Sequence, residues 1–441
     1  MEESLRAEVV SVSGDQRREE LNRFKSFKPF KTFKSSINRS EVTVAQVKPS
    51  RALDGVKILA FEQVLSGPFA TCLLADMGAE VIKVERPAVG DVIRSWDSVV
   101  KGLSSGYVWL NRNKRSLTVD VKKAKGREIL QELAKRSDVF FENYAPGVAG
   151  RLGLGYDSLA QLNPRLIYCS LSGYGQDGPY RDVKAYDLLI QGEGGIIATT
   201  GYPDKPARAG IAIADIASGM YAAIGILLAL FQREKTGQGQ WIDVSMLDSI
   251  VSWLGYFPHH YWHAGEEPAR VGMRHHYVTP YGPYLAGDGQ YVNLAVASAA
   301  DWAVFCREVI EKPELLEDPR FATVEGRRKN RGELEETIEN IFLGRDHQHW
   351  LAQLKKAELP HGIVRGIAQV LAHPQVAARK LIREAESPVG KVPVIANALK
   401  MSKSEARYER IPALGENSEA ILREIGYESS AIAELRREQV I

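Results

Sequence analysis

Cysteine is scarce in this chain of 441 residues: Cys72, Cys169 and Cys306 stand far apart and never in CxxC spacing. That excludes a disulfide framework, argues against a structural zinc or other metal site, and fits a reducing cytoplasm. An excess of one charge is also missing, with 57 Lys and Arg against 55 Asp and Glu. Nothing in that balance draws the chain onto nucleic acid or an anionic membrane, so small-molecule substrates are expected. No uninterrupted run of the roughly 20 apolar residues that a bilayer demands occurs. The longest, Ile216 to Phe231, is broken by Ser218, Gly219 and Gly225 and is expected to form a buried helix. Nucleotide fingerprints are lacking too. There is no GxxxxGK[ST], and the turn after the first expected strand reads Ser66-Gly-Pro-Phe69 instead of GxGxxG, which disfavours an ordinary dinucleotide oxidoreductase. No histidine precedes His259, so the GxSxG string at Gly102-Leu-Ser104-Ser-Gly106 has no nearby base and no apolar strand leading into it; a hydrolase triad is not expected.

What is present is the material of a globular α/β chain, 44% hydrophobic and long enough for two or three domains. Residues 1–50 form an extension with the run Phe24-Lys-Ser-Phe-Lys-Pro-Phe-Lys-Thr-Phe-Lys34. Its early acids (Glu2, Glu3, Glu8, Asp15, Glu19, Glu20) do not suit a transit peptide, and a solvated or partner-docked arm is expected. From Val56 onward, short β-rich runs alternate with helical stretches, the pattern of βαβ units and a parallel sheet. Strands are expected at 56–61, 81–84, 117–121, 139–142, 166–170 and 241–245, and helices at 67–77, 125–135, 186–192 and 216–233. The texture changes near His259, and Gly287-Asp-Gly289 marks a turn between two further strands. The expected organisation is a large domain over 51–255, a linker and smaller α+β domain over 256–369, and a segment from 370 to 441 returning to the large domain.

Short polar clusters fall near the ends of the expected strands, where open parallel sheets bind ligands: Glu85-Arg86-Pro87, Asn111-Arg-Asn-Lys-Arg115, Glu142-Asn143-Tyr144, Arg151, Lys184-Ala-Tyr186-Asp187 and Ala214-Asp215. Grouped arginine, lysine and asparagine suit phosphate oxygens. By themselves such clusters are as readily solvated surface. Asp215 alone reads first as a cap for the helix that follows it.

The order and wording of the clusters resemble the class III CoA-transferases, the family of formyl-CoA transferase and alpha-methylacyl-CoA racemase, over roughly residues 52–441. The strongest stretches are Ser66-Gly-Pro68, Gly78-Ala-Glu-Val-Ile-Lys-Val-Glu-Arg-Pro87, Asn113-Lys-Arg-Ser116, Asn163-Pro-Arg165, Ser172-Gly-Tyr-Gly175 and Lys235-Thr-Gly-Gln-Gly239. The resemblance implies an α/β fold with a Rossmann-like large domain, its parallel sheet completed by the C-terminal segment, and two subunits interlocked as a homodimer; the arm leaves a hetero-oligomer with a paralogous subunit open. It implies that Asp215 is a nucleophile acylated by a CoA thioester, with backbone N–H groups of its helix start available to an oxyanion. It implies coenzyme A contacts at Arg86, Val119 to Lys122, Asn143, Tyr144, Arg151 and Lys184, with the Tyr186 phenol near the thioester and oriented by Asp187. Coenzyme A thioesters enter as substrates, and no permanently bound cofactor is expected.

Two departures narrow the substrate. Leu65 stands where formyl-CoA transferase has a glutamine, and that enzyme's glycine-rich covering loop has no counterpart. The region instead reads Gly272-Met-Arg-His-His-Tyr277, so Arg274 or His275 is a candidate for a distal carboxylate, with succinyl-CoA as donor and malate, citramalate or glutarate as acceptor. Racemisation of a 2-methylacyl-CoA is the rival reaction, but the position matching its histidine base is Tyr186, a far weaker base near neutral pH. A non-catalytic subunit that binds CoA thioesters is the alternative from another class.

Overall fold

The structure is a computed structural model that describes residues 51–441, so the expected N-terminal arm lies outside the described residues. Its centre is a six-stranded sheet of β1 (Lys57–Phe61), β2 (Glu80–Glu85), β3 (Lys114–Thr118), β4 (Val139–Glu142), β5 (Ile167–Ser172) and β6 (Trp241–Ser245), in the order β3-β2-β1-β4-β5-β6. Every pairing in it is parallel. The central strands are apolar on both sides because helices cover both faces. Ile58, Ala60 and Phe141 point into one core, beneath α1 (Ser66–Asp76). Leu59, Phe61 and Phe140 point into the other, beneath α2 (Ala124–Lys135). Further along, α3 (Asp187–Glu193) leads towards α4 (Ile213–Thr236), which packs against α1 and lines the first core with Ala214, Ala217, Ala222 and Ile226.

Three expectations need correction. The third strand begins three residues before its apolar run, at Lys114. A lysine is a poor strand signal, yet this one is fully buried because its Nζ lies 2.8 Å from Glu62. The long apolar helix α4 is not buried all round. One stripe, Met220, Tyr221, Ile224, Leu227, Leu228 and Phe231, faces outward; by length and composition alone the helix could also cross a membrane, but its inner face belongs to the core. The C-terminal segment returns to the sheet but adds no strand to it.

Beyond the sheet, β7 (Tyr281–Leu285), β8 (Tyr291–Ala295) and β9 (His361–Ile363) form a small antiparallel sheet, with the hairpin turn where Gly287 to Gly289 placed it. Helices α5 (Arg331–Phe342) and α6 (His347–Lys356) close a separate core around Trp302, Phe305 and Phe342. A hairpin of β10 (Ile382–Ala385) and β11 (Val392–Ile395) follows. Helices α7 (Ser418–Glu424) and α8 (Ser429–Arg437) then pack Ile421, Leu422, Ile432 and Leu435 into the second core of the parallel sheet. The edge strand β3 is closed without another strand: Ser116 N donates to the Asn417 side chain at 2.9 Å and Thr118 N to the Ser418 hydroxyl at 3.0 Å. Edge donors satisfied by side chains leave no template for further strand pairing.

Candidate active site

In an open parallel sheet, a crevice opens where neighbouring connections leave in opposite directions. Here that point lies between β1 and β4. The crevice is clipped by one side chain: Asn143 accepts from Gln63 N at 2.8 Å and donates to Gln63 O at 2.8 Å. Gly67 makes the approach possible, since a Cβ there would sit 2.7 Å from Phe141 and 3.1 Å from the Asn143 amide.

Asp215 is delivered to this point by α4. Gly219 presses the helix onto the start of α1, where a Cβ would lie 2.7 Å from the Ser66 carbonyl oxygen. One turn earlier, Asp215 therefore meets Ser66, whose hydroxyl and amide both favour the charged carboxylate. Asp215 is the third residue of α4 and not its cap; the N-cap is Ala212, which makes no side-chain bond. The capping carboxylate is that of Asp187, which accepts from Ala214 N at 2.8 Å and from Gln191 Nε2 at 2.7 Å. Asp187 is thus turned into the helix start instead of towards Tyr186, which is 68% exposed. Burial, followed by the nearby Asp187 charge, pushes the Asp215 carboxyl up to about 7 against the opposing pull of Ser66. At the start of α4, Ala214 N is engaged by Asp187 and Ile213 N by Ile211 O at 2.8 Å, and Ser66 of α1 adds an N–H beside the carboxylate.

Two neighbouring hollows lie along the crevice. The first, about 440 Å³, is lined by Ser66, Asn143, Tyr144, Lys184, Tyr186 and Asp215 among others. The second, about 290 Å³, is lined by Arg86, Val119, Lys122, Tyr144, Val148 and Arg151 among others. Tyr144 and Val148 belong to both, and Tyr144 is fixed by stacking on Phe61 with ring centroids 4.2 Å apart. The structure therefore brings nine of the sequence candidates to one trench and puts Asp187 behind Asp215. It does not bring Arg274 and His275 there. The Arg274 guanidinium is held by Glu335 at 3.1 Å and Glu339 at 2.6 Å over the Tyr284 ring. His275 stacks on Tyr281 and accepts from the amides of Tyr277 and Val278 at 3.2 and 3.1 Å.

Sequence reasoning gave no role to Ser66 or Arg181. Ser66 was visible only as the first residue of the Ser66-Gly-Pro68 stretch, with no role attached. Arg181 lies three residues before Lys184 and lines the first hollow, a proximity that a charged loop does not advertise. Ser104 of the GxSxG string is a buried N-cap, accepting from Tyr107 N at 3.5 Å. The residues described contain no cluster of metal-ligating side chains.

A doubly wound α/β sheet whose switch-point trench carries a half-buried carboxylate at one end and cations along its length defines an enzyme for an extended anionic ligand with a reactive end. The chain belongs to CoA-transferase family III, whose model matches residues 53–418, and is a CoA-transferase. It is 38% identical over 405 residues to human succinyl-CoA:glutarate CoA-transferase, covering 90% of this chain and 91% of that one. It is 36% identical over 381 residues to acetyl-CoA:oxalate CoA-transferase of Acetobacter aceti, covering 86% of this chain and 96% of the other. A CAIB/BAIF family protein from Brucella suis has a similar structure, with TM-score 0.76 and 36% identity over 85% of this chain and all of that one.

Proposed function

We propose that this CoA-transferase moves coenzyme A from succinyl-CoA to a four- or five-carbon dicarboxylate such as glutarate, malate or citramalate, through acylation of Asp215. The observation that carries the reading is the half-buried Asp215 carboxylate, held against Ser66 in the same trench as the cations expected to hold coenzyme A. The 38% identity to human succinyl-CoA:glutarate CoA-transferase supports the acceptor class.

In this reading an Asp215 oxygen attacks the thioester carbonyl, forming a C–O bond as the C–S bond breaks, and gives a mixed anhydride and CoA thiolate. The thiolate attacks the aspartyl carbonyl, releasing succinate and leaving an aspartyl thioester. The acceptor carboxylate then displaces thiolate to give a second mixed anhydride. Attack of the thiolate on the acceptor's own carbonyl yields the new thioester and free Asp215. No activated acyl group passes to water, so the thioester bond energy is conserved. Ser66 is placed to stabilise the oxyanion at each attack. Arg86, Arg151 and Lys184 hold phosphate groups, and Val119, Lys122, Asn143, Tyr144 and Tyr186 complete the coenzyme site.

By resemblance, two copies form an interlocked homodimer; the outward apolar stripe of α4 supports an assembly that covers it. Sedimentation on dilution is expected to show dimers persisting. The catalytic test is mass spectrometry after incubation with succinyl-CoA and hydroxylamine. A hydroxamate at Asp215, absent in Asp215→Ala, is the expected result. An unmodified peptide together with alpha-proton exchange would establish racemisation instead. Turnover with oxalate but not with glutarate, malate or citramalate would reject the acceptor class.

A further inference from the structure

We propose that Asp91, neutralised by Lys83, is a positioning residue that holds the β1 to α1 turn in the backbone geometry from which Ser66 meets Asp215. The inference rests on the reading of Asp215 as the nucleophile. Val64, in that turn, has φ of +63°, a left-handed conformation that a β-branched side chain rarely adopts and that persists only where its surroundings impose it.

Those surroundings are specific. Val64 N donates to both Asp91 oxygens, at 3.0 and 3.1 Å, and Asp91 is only 5% exposed. Asp91 Oδ2 accepts from Lys83 Nζ at 2.9 Å, with both side chains fully buried. Lys83 also lies 3.5 Å from Glu62, whose other oxygen accepts from the Thr71 hydroxyl at 2.7 Å. Lys114, 2.8 Å from Glu62, donates to Pro68 O at 3.0 Å. The cluster therefore grips the turn before Ser66 through Asp91 and the first turn of α1 through Lys114 and Glu62. A buried ion cluster is weak evidence of stability, because apolar replacements often serve the fold as well. What an apolar group cannot do is accept the Val64 amide. Val64 and Ser66 line the same hollow as Asp215, so a turn released from Asp91 would move Ser66 off the carboxylate.

The test is kinetic and uses the full-length protein. Asp91→Ala removes both acceptors of the Val64 amide and is expected to lower kcat about 10- to 100-fold, the scale of an ångström-level misplacement, while KM for succinyl-CoA stays within about twofold. Glycine adopts positive φ without strain. Adding Val64→Gly to Asp91→Ala should therefore bring kcat back to within about threefold of Val64→Gly alone, the mark of two sites acting through one backbone conformation. Asp91→Glu keeps a charge beside Lys83 but moves the carboxylate by one methylene; it is expected to remain folded and to lose kcat in the same way, which covers the case of an insoluble Asp91→Ala. Wild-type kcat in Asp91→Glu, or a double variant no better than Asp91→Ala, overturns the proposal. Asp215→Ala assayed alongside separates the two readings: if it still turns over, the nucleophile assignment has failed; if it is inactive and the rescue fails, only the positioning role has.

Discussion

Two regions of the molecule use cationic side chains in opposite ways. Beside the parallel sheet, Arg86, Arg151, Arg181 and Lys184 line the trench, and none has a carboxylate partner among the described residues. Beside the small antiparallel sheet, Arg274 is bound by Glu335 and Glu339 and stacked on Tyr284. By sequence all of these except Arg181 were candidates for anion binding. The difference is that a guanidinium already neutralised inside a domain contributes packing and specificity of fold, whereas one left without a counterion at a crevice raises the local anion potential.

Breaking the reacting end should give the largest effect. Asp215→Asn is expected to reduce transfer by on the order of a thousandfold or more, measured as thioester exchange, because a nucleophile has no substitute. The same variant should be more stable than the parent at pH 8. The folded-state pKa of about 7 lies above the ordinary aspartate value of 3.8, so keeping Asp215 charged in the folded state costs stability, fully so above pH 7 and not at all below the unfolded pKa. Thermal melts at pH 8 and pH 3.5 should show the gain only at the higher pH.

The contrast between the two regions is sharpened by alanine substitutions. Arg86→Ala and Arg151→Ala are each expected to weaken succinyl-CoA binding about tenfold by titration calorimetry, the loss of one charged hydrogen-bonding group. Arg274→Ala should leave that affinity nearly unchanged and instead lower the urea midpoint, since it takes the cation from the buried Glu335, which keeps only its bonds from Thr279 and Tyr284, a loss of about 1–3 kcal/mol. If Arg274→Ala raised KM for the acceptor acid and left the midpoint alone, the two regions would not differ as described.

The smallest effect concerns pH. With Asp215 required as carboxylate, kcat/KM should rise with pH through about 7. Asp187→Asn retains an acceptor for Ala214 N but removes the neighbouring charge, so this limb should move to lower pH. A limb that stays in place would assign the raised pKa wholly to burial.

Much of the sheet was legible because short continuous apolar runs such as Lys57–Phe61 and Val139–Glu142, spaced by helical stretches, mark strands buried on both faces. The start of β3 was not, because Lys114 enters the strand only through an ion pair with Glu62, 52 residues earlier in the chain. The closure of that edge by Asn417 and Ser418 was hidden for the same reason: side-chain partners three hundred residues apart leave no local signature.

The sequence by itself determined the parallel α/β architecture and the family, since these rest on local periodicity and on ordered motifs. Only the tertiary structure decided that Asp187 caps the helix of Asp215, that Ser66 and Arg181 line the same hollow as that carboxylate, and that Arg274 is spent on Glu335 and Glu339. Each of those depends on which charge meets which across the fold, and the energy of a charge is set by its distances and burial, not by its neighbours along the chain.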